Sequence, residues 1–349
     1  MGVVCVDVTA EHLPAIRQLL MLYWERTWPT EVADRFLRWR LFDRPDWAAV
    51  AAFDGDRCVA FIDSFVRPYT IDDRSMRVRE TGEWFCLPEY RPLASLKVLQ
   101  ALMKKPEPII ATSNSEVTKA VLPKLKWQVV CEQQQRVFPA GVGVAVKGLT
   151  KRLKTQLSAL PAFTGTLLPF RFRKPRRLEA PEQPASVREI TSADDLPDLQ
   201  PPEDSFALYA LAGREDARWF SAAPSGEGRF IWLQFALKGA AVGLSLSRIF
   251  REGPYQAARL LHIQSTRHDP ETYAWMASET SCHVAADGVH WIEARSTSDM
   301  IIGALESTGY IKGNTFPIYW WPGGDRVELD GNILLNGMRG EEALMPYPA

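Results

Sequence analysis

The sequence is poor in the features that most readily announce a function. Its five cysteines (Cys5, Cys58, Cys86, Cys131 and Cys282) stand singly, with no Cys-x-x-Cys and an odd total. This argues against a disulfide framework and fits free, mostly buried thiols in a reducing cytoplasm. Histidine is scarce too: five, of which His262, His268, His283 and His290 lie in the second half, none at a compact His-x-x-x-His spacing. No metal site is therefore expected. Neither sign of charge dominates, since 41 Lys and Arg face 42 Asp and Glu, for a net charge of −1. Nothing global points to nucleic acid. Long hydrophobic runs are missing, so no membrane span is expected. The opening MGVVCVDVTAEHLPAI has no basic region before an apolar core, and MGVVCV meets the myristoylation pattern only at Gly2. No signal peptide is read there.

What is present is a chain of 349 residues, enough for two domains, with 46% hydrophobic residues, twelve Trp and twenty-five Pro. HLPAIRQLLMLYWER and EVADRFLRWRLFD carry apolar residues at helical spacing, and Pro45 stops the second. WAAVAAFDGDRCVAFIDSFVRPY reads as two strands joined at Asp54-Gly55-Asp56. Then come a strand ending EWFCL, a turn, a helix, the strand PIIATSN, a short helix containing Pro123, and the strand WQVVCEQQQRVF. Lys147 to Leu178 contains nine Lys or Arg and no acid, and EAPEQPAS follows as a Pro-rich linker. The second half repeats the outline. VREITSADDLPDL reads as a strand and a capped helix start, and GRFIWLQFALKGAAVGLSLSRIF as a hairpin turning at Lys238-Gly239. Arg38-Trp39 before the first hairpin is echoed by Arg218-Trp219 before the second.

WFCLPEYRPLASLKVLQALM, ATSNSEVTKAVLPKLKWQVV and ESTGYI (Glu306 to Ile311) carry a family likeness. The chain resembles the GNAT (N-acetyltransferase-like) superfamily, and specifically its tandem members. More loosely it is similar to acyltransferase-like proteins of bacterial surface and exopolysaccharide synthesis. The resemblance implies an α/β (α+β) fold of two GNAT-like domains, each a mixed, mostly antiparallel sheet flanked by helices. The expected division is 1–145 for the acyl-CoA-side domain, 146–184 for a basic connector, 185–322 for a degenerate second domain and 323–349 for a tail.

The resemblance also implies the chemistry. An acyl-CoA lies against the end of the fourth strand, with its diphosphate at the N-terminus of the next helix. A backbone N–H at a strand bulge polarises the thioester, and the acceptor amine or hydroxyl attacks directly, helped by a base. Carried onto this chain, the donor would meet Phe85, Cys86, Leu87, Arg91, Leu93, Ala94, Ser95, Leu96 and Asn114. Glu83 or Glu80 would be the base; the bland alternative for Glu83 is a solvated edge carboxylate. Asn114 would otherwise simply cap the helix that begins at Ser115. The turn departs from the family's Arg-x-x-Gly-x-Gly/Ala: Ala94 and Leu96 hold the small positions, and Pro92 removes a donor. Leu122 and Leu305 stand where the family's tyrosine acid would be. The second half lacks the Arg-x-x-Gly loop and is expected to bind CoA poorly. The acceptor implied is a small molecule or a glycan, with tryptophans lining a sugar cleft as one option. The basic stretch 147–177 reads either as a solvated connector or as a surface for anionic lipid. The rival to an enzyme is a catalytically inactive binding protein that keeps the fold.

Overall fold

The structure, a computed structural model, describes residues 2–24, 27–43, 47–71, 74–112, 115–141, 174–202, 206–224, 228–252, 254–323, 329 and 333–335. Most of the basic stretch 147–177, most of the expected tail and Asn114 lie outside these residues.

The first half opens with strand β1 (Val4–Asp7), which the helix-first expectation passed over because four residues carry little alternation. The two expected helices follow as α1 (Leu13–Tyr23) and α2 (Thr30–Leu41). Glu31 in the first turn of α2 and Arg38 and Arg40 in its last suit the helix dipole. Strands β2 (Trp47–Asp54) and β3 (Arg57–Ile71) form the expected hairpin, with Gly55 at φ 59° in the turn. Glycine tolerates that left-handed backbone at no steric cost. β4 (Arg74–Cys86) leads through a single 3₁₀ turn, Pro88–Tyr90, into α3 (Leu93–Met103). Then come β5 (Ile109–Thr112), α4 (Glu116–Val121) and β6 (Gln128–Pro139). Pro123 lies beyond α4 and opens a 3₁₀ turn. The cap of α4 is Ser115, whose side chain accepts from Thr118 N–H at 3.4 Å.

The second half starts with β7 (Ala185–Ile190) and then departs from the first. Ser192 caps a turn as expected, accepting from Asp194 N–H, but only the 3₁₀ residues Ala193–Asp195 follow. Pro197, Pro201 and Pro202 come next, each lacking the N–H a helix needs. Up to Gly213 the only regular element among the described residues is β8 (Leu208–Tyr209). Order resumes with α5 (Arg214–Ser221), β9 (Arg229–Leu237), β10 (Ala240–Glu252) and β11 (Tyr255–Ser265). Lys238 and Gly239, at φ 50° and 81°, make the expected β9–β10 turn. α6 (Pro270–Ala285), β12 (Trp291–Ser296), α7 (Asp299–Ser307), β13 (Ile311–Trp321) and β14 (Ile333–Leu334) complete the order.

Among the described residues the strands join one 14-stranded sheet, whose main path runs β1-β2-β3-β4-β5-β13-β6-β12-β11-β10-β9-β7. The centre of that path is an exchange. β13 of the second half pairs with β5 of the first, Ile318 opposite Thr112, while β6 of the first pairs with β12 of the second, Ile292 opposite Phe138. The largest apolar cluster likewise mixes the halves, placing Phe36, Phe61 and Leu99 with Trp219, Phe220 and Leu244. Each such side chain contributes about 1.5–3 kcal/mol when buried.

Candidate functional site

β4 and β5 run parallel and pair with each other only at Arg79–Ile109 and Glu80–Ile110. At that point β4 bulges. Ile62 faces Trp84 and Ser64 faces Thr81, so both Gly82 and Glu83 stand opposite Asp63. A bulge of this kind frees a backbone group from the ladder and re-aims its neighbours. A Cβ on residue 82 would come within 2.2 Å of Asp63 Oδ1, which is why glycine sits there. Beside the bulge lies a cavity of about 160 Å³, walled by Thr81, Gly82 and Trp84 from β4, Ala111 and Thr112 from β5, and Leu99 from α3. Trp84 was expected as a core or cleft tryptophan and Leu99 as part of the helix after the turn; Thr81, Gly82, Ala111 and Thr112 were not expected at a site, and the glycine at position 82, inside a strand, was the available signal.

Of the expected donor residues, Phe85–Leu87 and Arg91–Leu96 form the turn beyond this gap and are not among its walls, and Asn114 lies outside the described residues. Phe85, Cys86 and Leu87 are buried, Phe85 lying against Tyr23 with ring centroids 4.1 Å apart. Burial pushes the Cys86 thiol up, against the pull of Arg91. Arg91 turns back, its Nε donating to the Cys86 carbonyl at 2.9 Å. α3 begins without a side-chain cap, Ala94 is fully buried, and Ser95 and Leu96 are half-buried. Leu93 is 61% exposed, so the turn offers an apolar side chain to anything approaching it. Leu96 N–H is already committed to the Pro92 carbonyl at 3.0 Å.

Both candidate bases are buried, which overturns the reading of Glu83 as a solvated edge carboxylate. The α2 helix covers it. Arg40 Nη2 donates to Glu83 Oε1 at 3.2 Å and lies 3.9 Å from Asp63 Oδ2. Burial pushes Asp63 up to about 7, with Arg40 pulling it back and Glu83 pushing it further. Burial also raises Glu83, against the attraction of Arg40. Two buried carboxylates beside one guanidinium favour holding a proton between them. Glu80 belongs to another cluster. Tyr69 OH donates to its Oε1 at 2.6 Å, and Arg67 Nη1 lies 3.8 Å from the same oxygen. Arg67 Nη2 in turn donates to Asp216 Oδ2 of α5 at 2.9 Å and to the Leu211 carbonyl at 3.2 Å. This guanidinium forms part of the wall of a second cavity, about 440 Å³, between β3 and the second-half segments 196–200 and 211–219. Trp219 is among its walls.

The second half repeats the splay but not the gap. β11 and β12 pair from Ala258–Ile292 to Leu260–Ala294 and then part, with a bulge at Leu261. Leu260, Ile263, Ile301 and Leu305 close around the space and leave no room for a water molecule. His262 sits there, 3% exposed, hydrogen-bonded to Gln264 Oε1, which also accepts Ala212 N–H. Burial pushes its imidazole down to about 4, Arg67 adding to the effect. Among the described residues no group of three or more His, Cys, Asp or Glu is placed to hold a metal ion. No helix among them is long and apolar enough to cross a membrane.

No family model matches the chain, and no curated protein matches it in sequence. Solved structures match it in shape. A tandem GNAT protein from the clavulanic acid biosynthesis pathway superposes with a TM-score of 0.53 at 13% identity, over 92% of this chain and 98% of its own. A GCN5-related N-acetyltransferase from Anabaena variabilis gives 0.58 at 6% identity, over 91% and 72%. N-myristoyltransferase from Saccharomyces cerevisiae, solved with bound myristoyl-CoA, gives 0.58 at 12% identity, over 98% and 85%. At such identities the likeness is one of fold. The chain has the α/β architecture of two GNAT-like domains in tandem.

Proposed function

We propose that the protein is an acyl-CoA-dependent N- or O-acyltransferase whose donor arm enters the gap between β4 and β5. The observation that carries this reading is the open gap beside the Gly82–Glu83 bulge in the first half, set against the filled gap in the second. The first half would hold the donor, and the second would shape the acceptor side. An acceptor amine or hydroxyl attacks the thioester carbonyl, forming the new C–N or C–O bond as the C–S bond breaks. Its proton passes to a carboxylate, and the departing thiolate takes up a proton from solvent. Glu80 suits the base role because Arg67, its neighbour, reaches the cavity between the halves. Glu83, held by Arg40, suits a role in fixing the bulge. The diphosphate would be held loosely at Leu93–Leu96, since Pro92 has no N–H and the first turn carries leucines. A sugar of a surface polysaccharide is one acceptor class this reading includes.

A second reading, a non-catalytic protein that recognises a glycan or a partner, draws on Leu122 and Leu305 standing where a tyrosine acid would protonate the thiolate. Thermal stability separates the two. Millimolar acetyl-CoA or CoA should raise the melting temperature by mass action if the gap takes the donor. A folded protein whose melting temperature ignores both ligands would leave only the binding-protein reading.

A further inference from the structure

We propose that the cavity between the halves binds a ligand carrying a protonated amine on an apolar body. Calling that ligand the acceptor rests on the acyltransferase reading; its binding does not.

The cavity exists because the second half lacks a counterpart of α1. Where the first half packs a helix of eleven residues, Leu13–Tyr23, the second has one 3₁₀ turn followed by Pro197, Pro201 and Pro202. The extended chain cannot fill the space a helix would. What remains is about 440 Å³, within the ~300–1,000 Å³ range of small-molecule sites and at the junction of two domains, where such sites concentrate.

Its walls say what fits. Val66, Leu196, Leu199, Ala212 and Trp219 are buried and apolar, which suits an alkyl or ring body. The charged groups around it are Arg67, Arg214, Asp198, Glu215 and Asp216, with Glu80 behind Arg67. Arg67 is engaged by Asp216, the Leu211 carbonyl and Glu80, so its charge is answered inside the protein. The lining itself carries three carboxylates, Asp198, Glu215 and Asp216, against the guanidiniums of Arg67 and Arg214, net negative by one, and Asp198, Glu215 and Arg214 are its exposed charges. A concave site with a net charge concentrates ions of the opposite sign. The cavity's link to the β4–β5 gap runs through Glu80, which contacts Arg67 of the cavity wall and is two residues from Gly82 along β4, roughly 7 Å in a strand.

The test uses n-hexylamine, 1-hexanol and hexanoate on the whole protein without any CoA, read by calorimetry and melting temperature. The amine should bind, and the alcohol and the carboxylate should bind at least about tenfold more weakly. The double variant Asp198→Asn/Glu215→Gln changes only exposed side chains and should weaken the amine by about three- to tenfold. Leu199→Trp should fill the cavity and abolish amine binding while leaving the acetyl-CoA response as it was. Equal binding of hexylamine and hexanol, or unchanged amine affinity in the double variant, overturns the proposal even if the tryptophan variant fails to fold. Amine binding without any acetyl-CoA response would uphold this site and remove the transferase reading.

Discussion

Trp39 and Trp219, 180 positions apart, stack with ring centroids 4.8 Å apart and planes 13° from parallel. Each donates its indole N–H to the other's backbone carbonyl, Trp39 Nε1 to Trp219 at 2.9 Å and Trp219 Nε1 to Trp39 at 3.0 Å. The exchange is the kind a two-fold axis imposes on identical partners, here within one chain. It joins α2, which carries the Arg40 paired with Glu83, to α5, which carries the Asp216 paired with Arg67.

Trp39→Ala and Trp219→Ala should each destabilise the protein by about 3–5 kcal/mol, the range for a buried aromatic. Because each ring satisfies the other, the double variant should lose clearly less than the sum. Urea denaturation of the four proteins measures this, and strict additivity would count against the coupling.

Gly82→Ala places a methyl 2.2 Å from a carboxylate oxygen of Asp63, a short buried side chain with little freedom to retreat. A loss of about 1–3 kcal/mol is expected, as for other overpacked sites. In an Asp63→Ala background the same change should cost far less, which unfolding midpoints would reveal.

Asp63 makes stability depend on pH in a defined direction. Its ordinary value is 3.8, and burial raises it to about 7 in the folded protein. The folded state therefore holds the proton more tightly than the unfolded chain. The stability that protonated Asp63 contributes is present in acid and is lost as pH rises through about 7. Asp63→Asn does not titrate, so its stability relative to wild type should grow from about pH 4 to about pH 7 and then level off. A flat difference across that window would contradict the assignment.

His262 works in the opposite sense. Burial lowers it from 6.5 to about 4, so the folded protein keeps the neutral ring while the unfolded chain takes up a proton. Its contribution is intact above 6.5 and is lost as pH falls towards 4. His262→Gln should therefore gain on wild type as the medium is acidified, measured as the difference in melting temperature between pH 7 and pH 4.5.

Leu96→Ala tests the donor turn. Trimming a half-buried leucine in the first turn of α3 should tighten acetyl-CoA binding by about three- to tenfold by calorimetry if the diphosphate lands there. Weaker or unaltered binding would place the diphosphate elsewhere.

Local chemistry carried most of what could be read in advance. Gly55 and the Lys238-Gly239 pair mark their hairpins because left-handed backbone is cheap for glycine. The repeat of Arg-Trp pointed to two related halves, and the strand–turn–helix at Cys86–Met103 appears where expected. Other features gave no local sign. The helix expected after Ser192 is absent because prolines one or two turns downstream deny it hydrogen bonds. Glu83 was expected as a base or else as a solvated edge acid, because nothing beside it in the chain reveals that Arg40, on a helix 43 positions away, covers it.

By itself, then, the order of residues determined most of the elements, the hairpin turns and the duplication, since these depend on side-chain period and backbone freedom over a few neighbours. Only the tertiary structure decided that β13 lies between β5 and β6, that one gap stays open while its counterpart is filled, and that two cavities flank the buried acids. Those outcomes depend on which apolar surfaces meet across distant parts of the chain, and on the space left where a helix failed to form.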